Sequence, residues 1–395
     1  MLKLCKNFKN GTSVSAIPES SGRGMPYLSK RDPFLYATDH LILSDGCAFF
    51  IYDGNTWLQI VNHGAIDINP VSILDTGGRF KVGWDYYIYL CLNEEGQPVL
   101  MVSANTTYPD GGKAQNSRKI GGFHFGHIRH VSDDGKWVPV DSTGNKRGAI
   151  GTIWQRNVSV GIVPNSVWDL ANRPQCSPEG MVKVGSNWVD IYQCSAAETI
   201  TLEGPGLSIV TGKLQSKYGQ LPVTGIEGLN WFGFAELAGL AGKKMLSYAE
   251  WIAAARDNPQ GEDDADNYGW TKNTNIIRNR TGCNIDSDGN FIEGGGVKPY
   301  AVSALNIVDA VGNVHEWLNE FTYREDGPTV GWAWRDVLGT GKGKAWLYKE
   351  NSLVSLRAGG HWKDGAAAGP RCVSTSYGSW FVFTYYGCRL ACDSI

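Results

Sequence analysis

The sequence contains no long hydrophobic run. No stretch approaches the roughly 20 apolar residues that cross a bilayer, and the first residues include no apolar segment long enough for a signal peptide. We therefore expect a protein that is neither inserted in a membrane nor exported through a signal peptide. If it acts outside the cell, it would leave by another route, such as lysis in a virus particle, after folding in the host cytoplasm.

A net positive charge, an even set of cysteines and familiar catalytic motifs are also missing. The formal net charge of -3, with no basic stripe, provides no general attraction to nucleic acid. The 9 cysteines are odd in number and scattered, which indicates free thiols in a reducing cytosol and not a disulfide framework. No G-x-S-x-G, phosphate-binding loop, H-E-x-x-H or double CxxC metal signature is present.

Glycine and tryptophan, by contrast, are abundant. The 50 glycines and 15 tryptophans are typical of a β-dominated protein with many turns. A length of 395 residues exceeds one ordinary domain. Strand candidates and turn signals predict a β-rich region over residues 1–165, and proline-containing segments between 163 and 178 suggest a boundary before a second region over residues 166–395.

Two segments of the second region predict α-helices. Residues 230–245 carry apolar side chains at helical spacing. In residues 247–257, Ser247 and Glu250 can form a capping box, in which each side chain bonds the backbone N–H of the other at the helix start. With its strand candidates, this region is predicted to be α+β.

The segment from 374 to 386 is dense in aromatic residues mixed with Ser, Thr and Gly. This mixture is typical of a binding surface, because rigid rings supply contact area and small neighbours supply adaptable hydrogen bonds. The alternative is a buried core strand. Such strands favour Val, Ile and Leu, and this segment has one Val and neither of the others.

Five segments, taken in order, resemble the formylglycine-generating enzyme family, a branch of the C-type-lectin-like fold. They lie at 178–184, 230–251, 306–317, 357–362 and 387–391. The third contains GNVHEW where the family has G-N-V-W-E-W, so that His315 stands in place of a tryptophan. The fourth reads RAGGHW against R-G-G-S-W, and the last reads GCRLA against G-F-R-L-A. The resemblance implies a C-type-lectin-like C-terminal domain.

The oxidase members of that family bind copper through two cysteines separated by four residues. Cys372 aligns with the second cysteine, but Ala367 stands at the first. A single thiolate does not supply the paired soft ligands that Cu(I) prefers. We therefore expect no redox cofactor.

A different branch fits this sequence better, namely the variable proteins of diversity-generating retroelements, which include phage tail-tip receptor-binding proteins. In these proteins a reverse transcriptase randomises chosen codons near the C-terminus, and fixed residues hold the backbone. The resemblance implies a variable segment over residues 360–391. It assigns to the scaffold Trp362, Gly365, Gly369, Arg371, Gly387 and Arg389.

The resemblance and the composition together assign other positions of this segment to ligand contacts. Positions that tolerate many residues cannot lie in the core, because core changes cost roughly 1–5 kcal/mol each. We therefore expect these side chains on an exposed face. The candidate contact positions are Lys363, Asp364, Ala366, Ala368, Ser374, Ser376, Tyr377, Ser379, Trp380, Phe381, Phe383, Tyr385 and Tyr386.

The resemblance also implies a calcium ion near the GNVHEW stretch. The matching positions for its ligands are Asp309, Gly312, Val314 and Glu316, which offer hard carboxylate and carbonyl oxygens. The alternative is that Asn313 and Glu316 simply hydrogen-bond the turn.

These observations predict a non-enzymatic receptor-binding protein, a phage tail-tip or virion adhesin. Its expected partners are a host-surface protein or carbohydrate and other virion components, without nucleic acid. The first region would serve attachment or oligomerisation, and the resemblance suggests a homo-trimer. The alternatives are a formylglycine-generating-type oxidase and a structural virion protein whose aromatic residues pack at a subunit interface.

Overall fold

The structure is a computed structural model, and β-strands predominate in the part of the chain that it describes. No helix within that part is long and apolar enough to span a membrane. The chain divides into a first unit (residues 1–128, 160–183 and 393–395) and a second unit (residues 129–159 and 184–392). The described residues are 2–8, 34–37, 40–130, 139–140, 153–154, 157–204, 209–258, 278–282, 302–324, 333–335, 345–347 and 352–395.

The first unit is built mainly from antiparallel strands. In chain order the strands up to residue 184 are β1 (Leu2–Phe8), β2 (Phe34–Ala37), β3 (His40–Leu43), β4 (Ala48–Tyr52), β5 (Trp57–Asn62), β6 (Ile66–Ile68), β7 (Trp84–Leu92), β8 (Pro98–Ser103), β9 (Ser117–His130), β10 (Pro139–Val140), β11 (Ile153–Trp154), β12 (Asn157–Ile162), β13 (Trp168–Asp169) and β14 (Met181–Val184). Of these, β10 and β11 lie in the second unit. β1, β5 and β4 form one sheet, β2, β3 and β6 a second, and β12, β9, β7 and β8 a third, with β13 paired to β9.

The core of the first unit follows from the alternation of apolar residues along its strands. Leu58 and Ile60 of β5 are buried while their neighbours in the strand are partly exposed, as expected for a strand with one face in the core. Phe49, Ile88 and Leu90 pack into the same cluster. This unit therefore has a hydrophobic core of its own.

The second unit combines further strands with two short α-helices among its described residues. Beyond residue 184 the elements are β15 (Asn187–Asp190), β16 (Cys194–Glu203), β17 (Ile209–Ser216), α1 (Trp231–Leu240), β18 (Lys244–Met245), α2 (Tyr248–Ala254), β19 (His315–Arg324), β20 (Ala333–Arg335), β21 (Ala345–Leu347), β22 (Ser352–Gly359), β23 (Gly369–Ser374), β24 (Tyr386–Cys388) and β25 (Leu390–Asp393).

One sheet of this unit positions the aromatic segment. Its strand order is β23-β22-β19-β24, with β24 parallel to β19 and the other pairs antiparallel. β23 and β24 are thus the two edges, and residues 375–385 connect one edge to the other. The ends of that connection are fixed by the pairing of Ser374 with Arg357 and of Tyr386 with His315.

The two helices form where the sequence predicts them but are shorter. α1 ends at Leu240, because Gly242 has a positive φ of 67° and Lys244–Met245 pairs with β25 as a strand. The capping box is present at α2, where Ser247 N donates to Glu250 at 2.7 Å and Glu250 N donates to the Ser247 hydroxyl at 3.2 Å. The predicted length to 245 is therefore wrong, while the start signals are confirmed.

A buried ion pair lies at the centre of the second unit. Arg389 donates to Glu316 from Nη2 to Oε1 at 2.8 Å and from Nε to Oε2 at 3.1 Å, and both side chains are 1% exposed. Arg389 also donates to the carbonyls of Asp190 (2.9 Å) and Val308 (2.7 Å). The carboxylate of Glu316 accepts a further bond from Trp251 Nε1 at 2.8 Å. The pair therefore connects several separate parts of the chain.

Replacing Arg389 should strongly destabilise the second unit. Arg389→Met leaves the Glu316 carboxylate buried without its counter-ion, a loss of about 3–5 kcal/mol in the free energy of unfolding. The matched control is Lys244→Met, because Lys244 forms a more exposed pair with Glu250 at 3.4 Å that contributes at most about 1 kcal/mol. Chemical denaturation of the full chain measures both, and equal losses would contradict the assigned role of Arg389.

Candidate functional site

The aromatic segment forms a continuous row of rings. Trp380 stacks on Phe381 (ring centroids 6.0 Å apart), Phe381 on Phe383 (5.7 Å) and Phe383 on Tyr385 (5.3 Å). Tyr377 packs edge-on against Phe381 at 5.3 Å. We call these five residues the aromatic face. Trp380, Tyr377 and Phe381 are 53%, 39% and 36% exposed, so the face presents apolar area to solvent.

The backbone beneath the aromatic face is held by three hydrogen bonds from other parts of the unit. Gly225 N donates to Phe383 O at 3.0 Å, Trp231 N to Ser379 O at 3.1 Å, and His315 N to Tyr385 O at 2.9 Å. A Cβ at Gly225 would lie 2.5 Å from the Phe383 backbone, so this approach requires glycine. These bonds use main-chain atoms and do not depend on which side chains the face carries.

Arg357 supports the segment from below. Its guanidinium is fully buried, lies 4.2 Å from the centroid of Tyr386 and donates to the hydroxyls of Ser374 (2.9 Å) and Ser376 (2.8 Å). Burial raises the pKa of Tyr386, although the charge of Arg357 opposes this effect. Tyr386 also packs against Trp317 at 5.0 Å. These residues form a rigid floor for the aromatic face.

The predicted contact positions fall into different environments. Lys363 is exposed, like the three outer rings, while Asp364, Ser374, Ser376, Phe383 and Tyr385 are partly buried. The side chain of Ala366 lies outside the described residues, within a 3-10 turn at Gly365–Ala367. Ligand contact at the exposed and partly buried positions stays a prediction.

Three of the predicted contact positions are buried, and for them the expected exposure is wrong. Ala368 is 0% exposed and packs closely against Gly360. Ser379 is 1% exposed, and its hydroxyl shares a hydrogen bond with that of Ser355. Tyr386 is 2% exposed because β24 directs it onto Arg357 and Trp317. These side chains belong to the support of the face.

Within the aromatic segment 374–386, two exposed residues were not predicted as contact positions. Val382 is 44% exposed and Thr384 is also exposed. In the sequence, only their position between aromatic residues could have indicated that they are exposed. The scaffold assignment fits Trp362, Gly365, Gly369, Gly387 and Arg389, which are buried, whereas Arg371 is exposed.

The residues expected to bind calcium are already engaged with one another and with the protein. Both oxygens of Glu316 accept bonds from Arg389, and Gln193 Nε2 donates to Glu316 Oε1 at 3.1 Å and to Val314 O at 3.3 Å. Asp309 is buried, which raises the pKa of its carboxyl to about 6, and it accepts a bond from Gly282 N at 2.7 Å.

This donor set does not fit a calcium ion well, because both carboxylate oxygens of Glu316 are already bonded to Arg389. Gly312 contributes a left-handed turn with φ of 82°. Asn313 donates to Gln193 Oε1 at 2.7 Å and to Asn279 O at 3.1 Å, and accepts from Asn279 N at 2.9 Å. These contacts favour the alternative in which Asn313 and Glu316 hydrogen-bond the turn.

A cluster that sequence reasoning did not identify lies beside the aromatic face. His315 Nε2 is 3.2 Å from Asp364 Oδ2, and His361 Nδ1 is 2.7 Å from the same oxygen. The rings of His315 and His361 stack with centroids 5.1 Å apart, and Tyr385 packs on His361 at 4.4 Å. The two histidines hold the pKa of Asp364 well below its usual range against the opposing effect of burial, whereas burial lowers the pKa of His315.

Replacing a residue of the floor should cost more stability than replacing one of the face. Tyr386→Ser removes a buried ring from between Arg357 and Trp317, a loss of about 3–5 kcal/mol in the free energy of unfolding. Phe381→Ser, at a residue 36% exposed, should cost about 1 kcal/mol or less. Denaturation of the full chain compares the two variants, and a Phe381→Ser loss as large as that of Tyr386→Ser would contradict the division into face and floor.

The Cys372 thiol should react slowly at neutral pH. Burial, with a smaller effect from Asp364, raises the pKa of Cys372 from 9.0 to about 11. Because the thiolate is the nucleophile, alkylation should be about a hundredfold slower than in the unfolded chain near pH 8 and should accelerate as the pH rises towards 11. Peptide mass spectrometry after iodoacetamide treatment measures the rate at this residue. Equal rates in the folded and unfolded chains would show an accessible, activated thiol.

Comparison with known proteins places this arrangement in a family. A family model described as Mtd second domain matches residues 35–155, and one described as Sulfatase-modifying factor enzyme 1-like domain matches residues 162–376. The tail fiber receptor-binding protein of Bordetella phage BPP-1 is 26% identical over 359 residues, which cover 88% of this chain and 82% of that protein.

Solved structures with the same fold include variants of the Major Tropism Determinant. The U1 variant matches with a TM-score of 0.60 at 20% identity, over 93% of this chain and 86% of the other. The M1 variant matches with a TM-score of 0.60 at 19% identity, over 93% and 85% of the two chains. The fold is the C-type-lectin-like one that the sequence motifs indicated. The sulfatase-modifying factor enzyme 1-like model matches residues 162–376, more than half of the chain. The chain therefore belongs to this family, as a variable protein of the diversity-generating retroelement type.

Proposed function

We propose that this protein is a phage receptor-binding adhesin whose aromatic face contacts a molecule on the host surface. The observation that carries this proposal is the division of the C-terminal segment into exposed rings and a buried floor. The relative in Bordetella phage BPP-1, described as a tail fiber receptor-binding protein, supports the same function for this chain.

The physical requirement for a diversified surface supports the proposal. Lys363, Tyr377, Trp380 and Phe381 point into solvent, so that replacing them changes few core contacts. The backbone below them is fixed by hydrogen bonds to Gly225, Trp231 and His315. New side chains can therefore be displayed without rebuilding the fold.

The chemistry of the face favours a carbohydrate or protein ligand. Tyr and Trp rings pack against sugar rings and apolar side chains alike, and their polar atoms remain free to bond at the edge. A non-enzymatic role is supported by Ala367 and by the protonated thiol of Cys372, which together supply neither the paired thiolates nor the nucleophile of an oxidase.

We further propose that the protein acts as several copies on the virion. Many weak contacts on one particle give a high effective concentration and therefore strong overall binding. The first unit would join the protein to other virion components. A homo-trimer is the proposed assembly. The proposed assembly and attachment rest on the likeness of this chain to a tail fiber protein.

Substitution within the aromatic face should reduce adsorption of the phage to its host. The double variant Trp380→Ala with Phe381→Ser removes exposed rings and leaves the floor intact, and we expect at least about a tenfold loss, which corresponds to 1.4 kcal/mol. The control is Phe232→Ser, because Phe232 is 45% exposed in the same unit but belongs to α1. Adsorption of particles carrying each variant is measured on the bacterium in which the phage grows.

Immunoblotting of the same particles shows whether each variant is incorporated. Normal incorporation with unchanged adsorption of the double variant would contradict the proposal. Loss of the double variant from the particles, with Phe232→Ser incorporated normally, would also contradict it and would instead favour aromatic packing at a subunit interface.

A further inference from the structure

The cluster of His315, His361 and Asp364 has the donor atoms of a metal site. His315 begins β19, while His361 and Asp364 lie in the turn that follows β22, where Asp364 N donates to His361 O at 3.1 Å. The three ligand atoms lie within 4.8 Å of one another. Residues distant in sequence are thus brought to one point by the central sheet of the second unit.

We propose that His315 Nε2, His361 Nδ1 and Asp364 Oδ2 bind a divalent transition-metal cation of the zinc type. Two ligands about 2.0–2.1 Å from a tetrahedral zinc ion are separated by about 3.3 Å. The distance from His315 Nε2 to Asp364 Oδ2 is 3.2 Å, and that from His361 Nδ1 to the same oxygen is 2.7 Å. The two imidazole rings lie stacked with an interplanar angle of 16°, so metal binding requires a ring to rotate about χ2, a broad torsion for histidine.

The hydrogen-bond geometry of the cluster also supports a metal site. His361 Nδ1 is buried and, despite its short distance to Asp364, has no hydrogen bond of acceptable geometry among the described residues. Asp364 Oδ2 is held in place by the backbone N–H of His361 at 2.8 Å. A buried polar nitrogen whose hydrogen bond is poorly aligned costs free energy, and coordination to a metal ion would give it a well-aligned partner.

The kind of metal follows from the donors. Two imidazole nitrogens and one carboxylate oxygen suit zinc, cobalt or nickel, whereas calcium and magnesium prefer oxygen ligands throughout. The charge of nearby Arg357 opposes a second cation, so the affinity should be moderate.

Three protein ligands leave a fourth position open to water or to a ligand atom. Tyr385, which packs on His361 at 4.4 Å, belongs to the aromatic face. A metal ion bound by this cluster would therefore connect the start of β19 to the turn that lies beside one end of the aromatic face. The metal site stands on its own geometry and does not depend on the proposed receptor.

The full chain, first treated with a chelator, is titrated with zinc and followed by calorimetry. We expect one saturable site per chain. Cobalt should produce the visible absorption bands of a tetrahedral site, a signature that nonspecific surface binding would not give. His361→Gln and Asp364→Asn should each weaken zinc binding at least about tenfold, or 1.4 kcal/mol, and should abolish the tetrahedral cobalt spectrum.

The matched control is His40→Gln. His40 forms a similar pair with Asp67 at 3.1 Å but is exposed and lies in the first unit. This variant should bind zinc and cobalt like the unchanged chain. The proposal is overturned if the folded, unchanged chain shows no saturable binding, or if folded His361→Gln and Asp364→Asn both bind with unchanged affinity.

Circular dichroism verifies folding of each variant. If one of the two variants fails to fold, the other decides the result, because each replaces one proposed metal ligand with a side chain of similar size. Adsorption to the host is measured separately. An absent metal site is therefore seen as a loss of zinc binding, and an absent receptor function as unchanged adsorption of the aromatic-face variant.

Discussion

The ion pair of Glu316 and Arg389 is the interaction on which the second unit depends. Burying two charges costs several kcal/mol per ion and is offset only when every polar atom finds a partner. Arg389 achieves this by bonding Glu316 and the carbonyls of Asp190 and Val308, and Glu316 by also accepting from Trp251. Strand β19, the junction between β24 and β25, the end of β15 and helix α2 are thereby tied to the same pair of side chains.

This arrangement explains how a stable domain can carry a surface that contributes little to its stability. The buried contacts of the unit include the ion pair, the cluster around Trp317 and Tyr386, and main-chain hydrogen bonds to residues 379–385. The outer rings of Trp380 and Tyr377 both pack on Phe381 and leave much of their area exposed to solvent. Selection on the face is therefore largely separated from selection for folding.

Much of the fold could be predicted from the sequence because the signals are local. Ser247 and Glu250 identify the start of α2, since a capping box involves only neighbouring residues. The ordered motifs identified the C-type-lectin-like fold. The end of α1 was misjudged, because apolar spacing continues past Leu240 while the pairing of Lys244–Met245 with β25 is a tertiary contact that no local pattern reveals.

The limits of the site prediction have a similar cause. Tyr385 and Tyr386 are adjacent and alike in sequence, yet one belongs to the face and the other to the floor, because successive residues entering a strand point to opposite sides. Ala368 and Ser379 are small enough to fit either environment, so their burial depends on the contacts with Gly360 and Ser355 that the fold creates.

The histidine cluster is formed by two departures from the family motif that only the fold brings together. His315 stands where the family motif has a tryptophan and His361 where it has a serine, two changes separated by a long stretch of sequence. Pairing of β19 with β22 brings them into stacking contact at 5.1 Å and places Asp364 against both. Either histidine alone would be an unremarkable polar residue, but together with Asp364 the two bring three possible metal ligands together beside the aromatic face.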